Sequence, residues 1–81
     1  MADQIEILCE QNSPSDEIIV IHEILVAQGD VVEKEQPLVI AEGSKSLFEI
    51  ISPGAGKVVD IRIRPGNNVA VGDTLLIIQL D

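Results

Sequence analysis

Sliding the chain along itself by 37 residues lays one half on the other. Glu23 falls on Asp60, Ile24 on Ile61, Val26 on Ile63, Gly29 on Gly66 and Asp30 on Asn67. The register continues with Val32 on Val69, Leu38 on Leu75, Val39 on Leu76, Ile40 on Ile77 and Glu42 on Gln79. Matching turn glycines and matching apolar positions require one backbone path used twice. Two such halves in a short chain bury their apolar faces only against each other. The repeat thus predicts an all-β domain, a flattened barrel or sandwich of two small antiparallel sheets with an internal pseudo-twofold axis.

The local pattern agrees. Val, Ile and Leu come in short segments broken by Gly, Pro, Asn, Asp and Ser, and no segment keeps the three-and-four spacing of a helix. Strands are expected near 4–9, 17–27, 37–42, 47–52, 56–64 and 74–80. Turns are expected at Asn12 to Ser15, Gly29-Asp30, Gly43 to Ser46, Pro53-Gly54, Pro65 to Asn67 and Gly72-Asp73. The whole chain, residues 1–81, reads as one domain, because 81 residues are too few for two cores. Apolar runs reach only four residues, as in Ile18 to Ile21, so no membrane span is expected. No signal peptide is legible either. A single cysteine, Cys9, excludes an internal disulfide and a thiolate metal cluster, and fits a reducing compartment. Fourteen acidic against five basic residues argue against nucleic acid and anionic lipid as partners and favour a basic protein surface. Phe48 is the one aromatic residue, so there is no platform on which bases could stack.

The repeat also points to a site. Lys45 plus 37 gives position 82, one past the last residue, so the hairpin at 43–46 corresponds to the carboxyl terminus of the other half. The twofold axis then puts that hairpin at the end of the molecule away from the terminus. Of three lysines, Lys34, Lys45 and Lys57, only Lys45 is expected at the centre of a tight turn between two apolar strands. Read locally it is a solvated turn lysine; read with the repeat it is an amine held out on a rigid sheet, which a lysine-modifying ligase requires.

From about Glu17 to Leu80 the chain resembles the lipoyl domains of the acyltransferase subunits of 2-oxo acid dehydrogenase complexes, the pyruvate dehydrogenase type most nearly. The resemblance is carried by Gly29-Asp30-Val31-Val32, Glu42-Gly43-Ser44-Lys45-Ser46, Glu49, Ser52-Pro53, Gly56-Lys57-Val58, Gly66 and Gly72. It implies lipoic acid attached to Lys45, with Glu42, Gly43, Ser44 and Ser46 as the flanking recognition turn, and no catalysis by the domain itself. The implied partners are a thiamine-dependent 2-oxo acid decarboxylase, a dihydrolipoyl dehydrogenase, an acyltransferase core and a lipoate ligase or transferase. The implied location is the bacterial cytoplasm or else the mitochondrial matrix. The chain departs from the family in having Ser44 and Ser46 where Asp and Ala are usual, Phe48 where Met is common, and Cys9-Glu10-Gln11-Asn12 in place of a Pro-Asp pair and Gly.

Two other readings stand beside this one. A biotin carrier places Met on both sides of its lysine, which this chain does not, and an unmodified module of the same fold would serve only for docking. His22 and Cys9 lack companions at metal-ligand spacing; Cys9 is expected in a strand and His22 near the core edge. Asp30 and Asp73 beside turn glycines are expected to stabilise turns. The ends, without an Ala- and Pro-rich linker, suggest a domain cut from a longer chain.

Overall fold

The computed structural model describes residues 3–10, 18–44 and 46–81. Among these, eight strands form and no helix: β1 (Gln4–Leu8), β2 (Ile18–Ile24), β3 (Val31–Val32), β4 (Pro37–Glu42), β5 (Leu47–Ile51), β6 (Gly56–Ile61), β7 (Asn68–Ala70) and β8 (Thr74–Leu80). They pair as two antiparallel four-stranded sheets, β1-β8-β6-β3 and β5-β4-β2-β7. The all-β class and the two-sheet architecture are therefore as the repeat requires.

The repeat holds to the level of individual pairs. Val20 faces Glu42 and Ile21 faces Ala41; 37 residues on, Lys57 faces Gln79 and Val58 faces Ile78. Both strand pairs shift register at the same place, between Ile21 and Glu23 and between Val58 and Asp60. β1 takes beside β8 the position that β5 takes beside β4, with Ile5 on Ile78 as Phe48 is on Ala41. β1 thus completes the second half from the front of the chain.

The turns repeat through their side chains. The Asp30 carboxylate accepts the Ala27 N–H at 2.8 Å, and the Asn67 amide oxygen accepts the Arg64 N–H at 2.8 Å. Gly29 and Gly66 follow with φ of 95° and 91°, left-handed values that cost glycine nothing. At the second turn, Gln36 accepts from Glu33 N–H at 3.0 Å and Asp73 from Ala70 N–H at 2.9 Å. These bonds replace ladder partners lost where the chain leaves one sheet for the other.

Two strands exceed the sequence expectation. β3 and β7 each place one buried residue, Val32 and Val69, between exposed neighbours, which is too short a stretch to show a period. β2 and β6 in turn stop at Ile24 and Ile61, short of the expected ends, because the chain bends into the Asp30 and Asn67 turns. The turn expected at Asn12 to Ser15 lies outside the described residues.

The core lies between the sheets and is aliphatic. Ile19, Ile21, Leu38, Val39, Leu75, Leu76 and Ile78 have no exposed surface. Each such side chain stabilises the fold by about 1.5–3 kcal/mol relative to exposure. Leu38-Val39 and Leu75-Leu76 are consecutive yet both buried; the β4–β5 ladder skips Leu38 and the β1–β8 ladder skips Leu75, and such a bulge lets neighbouring residues turn inward together.

Candidate functional site

The β4–β5 hairpin is built to be stiff below and open above. Ala41 and Ile50 are fully or almost fully buried, and the half-buried Phe48 packs on the core opposite Ala41. Glu42 faces Leu47 in the last strand pair, and beyond it the Gly43 N–H donates to the Ser46 carbonyl at 3.0 Å. That bond closes the connection with two residues of sequence between its ends, the shortest common hairpin link. Ser44 and Ser46 are exposed, as is Glu42, while Gly43 is half-buried. Lys45 itself lies outside the described residues; its neighbours on both sides are described.

The hairpin lies far from the terminal strand pair. β2 begins beside it, with Val20 on Glu42, and runs away through Leu25 to the Gly29 turn. There β3 meets Gly56 and Lys57, which are themselves paired with Leu80 and Gln79. The Leu80 N–H donates to Asp3, so both ends of the described chain meet at this opposite pole.

The other lysines have different settings. Lys34 is exposed in the turn that carries the chain from β3 in one sheet to β4 in the other, and Lys57 is exposed within β6, between Val31 and Gln79. Neither stands in a two-residue hairpin.

His22 is exposed, not at the core edge as expected, because it occupies the register shift in β2 and is turned outward. Cys9 is buried one residue past the end of β1, where its N–H donates to the Asp73 carbonyl at 2.8 Å. Ser52 holds the equivalent place after β5, buried, with its hydroxyl donating to the Gly54 carbonyl at 2.7 Å. Asp30 and Asp73 accept turn amides, as expected. Among the described residues no cluster of His, Cys, Asp or Glu could hold a metal ion. No helix among them is long and apolar enough to cross a membrane. The sequence reading missed the exposure of Leu47, 54% open beside Glu42, because alternation alone assigns it to either face.

Comparison with known proteins fits this geometry. The family model described as biotin-requiring enzyme, covering biotinyl and lipoyl domains, matches residues 13–78. The dihydrolipoyllysine-residue acetyltransferase component of the pyruvate dehydrogenase complex of Pseudomonas aeruginosa is 37% identical over 59 residues, covering 73% of this chain and 11% of that protein. Its counterpart from Mycoplasma capricolum is 42% identical over 57 residues, 70% of this chain and 13% of that protein. The biotin carboxyl carrier protein of Streptococcus mutans is 42% identical over 55 residues, 68% of this chain and 42% of that protein. The chain thus spans only a small part of the acetyltransferases it matches. In fold it is similar to part of a single-chain, multi-domain long-chain acyl-CoA carboxylase, with a TM-score of 0.81 at 20% identity over 96% of this chain and 7% of that one. The chain belongs to the biotinyl/lipoyl carrier family.

Proposed function

Taking that membership as premise, we propose that residues 1–81 form a lipoyl carrier domain whose Lys45 Nζ bears lipoate in amide linkage. The observation that carries this reading is the closed turn: the Gly43–Ser46 bond and the exposed Ser44 and Ser46 flank Lys45 in sequence, in a chain whose relatives include dihydrolipoyllysine-residue acetyltransferases. The fit of the group rests on the same turn, since the flanking side chains are small and exposed and leave an arm free to project. Lipoate would supply a dithiolane that accepts an acyl group as its disulfide is reduced.

The chain's own residues bind and present. Glu42, Gly43, Ser44 and Ser46 form the turn that a lipoate ligase or transferase reads, and the buried Ala41 and Ile50 keep that turn fixed. Placing the arm at the pole opposite the terminal strands keeps it clear of whatever the domain is attached to. Attachment to a complex makes each encounter intramolecular, so local concentration replaces diffusion from bulk. The partners in this reading are a thiamine-dependent 2-oxo acid decarboxylase, an acyltransferase core and a dihydrolipoyl dehydrogenase, in the cytoplasm.

A biotin carrier is the second reading, favoured by the similarity to the Streptococcus mutans biotin carboxyl carrier protein. Ser44 and Ser46, where biotin carriers have Met, weigh against it. Incubation with ATP and either lipoate plus lipoate ligase or biotin plus biotin ligase separates the two. The expected result is one lipoyl group per chain, mapped to Lys45, and no biotin. An adduct on Lys34 or Lys57, or efficient biotinylation, would overturn the lipoyl reading.

A further inference from the structure

β1 and β5 are end strands of their respective sheets, and an open groove with a volume of about 490 Å³ is lined by residues from the ends of both. Its apolar wall is Leu8, Ile51, Pro53 and Val71, and its acidic wall is Glu6 and Glu10. Leu8, Ile51 and Val71 are 44%, 47% and 44% exposed, and here they lie together along one groove rather than scattered singly. Leu8 and Ile51 are equivalent positions in the repeat, each following the register shift at its strand's end. β1 runs from the terminal pole to Leu8 and β5 from the hairpin pole to Ile51, so the groove lies where the two strands end, away from both poles.

Among the described residues, no strand pairs with the outer edge of β1 beside it. The Leu80 N–H to Asp3 bond fixes the alternation along β1, so Asp3, Ile5 and Ile7 turn their backbone groups toward β8. Glu6 turns its N–H and C=O away, toward the free edge. An extended chain laid there gains backbone bonds from Glu6 and apolar contact from Leu8 and Ile51.

Charge selects the occupant. A second copy of this chain brings another net charge of −9 to a groove already lined with two carboxylates. The neighbouring sequence Gln11 to Glu17 contains Asp16 and Glu17 and no large apolar side chain. We propose that the groove docks an extended segment of a partner protein carrying a large aliphatic side chain flanked by Lys or Arg. This goes beyond the carrier reading and does not depend on the state of Lys45. Because the groove is away from both poles, a partner can grip the body there while the hairpin stays free to enter an active site.

The test is titration of the 15N-labelled chain with a synthetic peptide of alternating Lys and Leu, and with its Glu-for-Lys counterpart. Saturable amide shifts are expected at Glu6, Leu8, Glu10, Ile51, Val71 and Gly72 with the basic peptide only. The Glu6→Lys/Glu10→Lys variant alters only exposed side chains, and it and Leu8→Ser should each bind about tenfold more weakly, with the melting temperature of the charge variant unchanged. Shifts spread over Glu42, Glu49 and the other surface acids would show charge attraction alone and overturn the proposal. So would equal binding of the acidic peptide, affinity unchanged in the charge variant, no saturable binding, or concentration-dependent shifts without peptide that mark self-association.

Discussion

The two halves share a backbone but not a division of labour. Where they face the core they are nearly interchangeable: Ile21 and Val58, Val39 and Leu76, and Ala41 and Ile78 hold matching registers and are almost completely buried. Where they face outward they diverge. The half with the hairpin ends in Glu42 opposite Leu47, while the equivalent pair in the other half is Gln79 opposite Gln4. Burial imposes the same chemistry twice, and exposure leaves each half free to acquire its own role.

One buried position breaks the equivalence. Ile19 is fully buried on β2, yet its counterpart on β6 is Gly56, where an added Cβ would run into the Gln79 carbonyl oxygen. Gly56→Ile, which restores the repeat in sequence, should therefore abolish cooperative folding, whereas Ile19→Val should cost only about 0.5–1.5 kcal/mol. Circular dichroism melts read both, and a folded Gly56→Ile variant would mean that the halves are more interchangeable than the backbone contact allows.

The next largest difference should be in presentation. Inserting one Gly between Gly43 and Ser44 removes the short link closed by the Gly43–Ser46 bond but costs little loop entropy. Lipoylation by ligase should fall on the order of a hundredfold, while a small amine reagent still labels the folded protein. Wild-type lipoylation of this variant would refute recognition of the turn's shape.

Gly29 and Gly66 sharpen the comparison at the turns. Nothing lies within 4 Å of a Cβ built at either, so only their left-handed backbone is tested. Gly66→Val should cost about 1–3 kcal/mol, and Gly29→Val the same within error. Urea unfolding that separates the two would show that the turns are not equivalent.

The smallest effect is expected where Glu35, at φ 69°, holds the place that Gly72 holds at 95°. The two make matching bonds, Glu35 N–H to Ser52 and Gly72 N–H to Cys9. Relieving the left-handed strain exceeds the entropy glycine adds to the unfolded chain, so Glu35→Gly should stabilise by about 0.5 kcal/mol. A lowered melting temperature would give the Glu35 side chain a stabilising part of its own.

Most of this frame was legible in the sequence because repetition supplies its own control. The spacing of Gly29 and Gly66 locates a turn, and the flanking Ile24, Ile61, Leu38 and Leu75 say which strands it joins. β3 and β7 were not legible, because Val32 and Val69 are single inward residues whose strand character comes from pairing with β6 and β2. The conformation of Glu35 was signalled only by its falling on Gly72 under the same shift. The hairpin was legible from Gly43 and its apolar flanks, although Lys45 lies outside the described residues. The groove had no local signature, since Leu8 and Ile51 are 43 positions apart and line it together only through folding.

The way β1 closes the second half has a consequence for where the chain can be opened. Leu80 joins Asp3 as Gly43 joins Ser46, so the strands follow one another in a cycle and β1 is the structural successor of β8. A circular permutant that links the two ends and begins within the 43–46 turn would keep every strand pair of both sheets. Its stability should change only by the entropy of the new loop. What it would exchange is polarity: the pole that now offers a tight turn would offer free ends, and the pole that now offers ends would offer a turn.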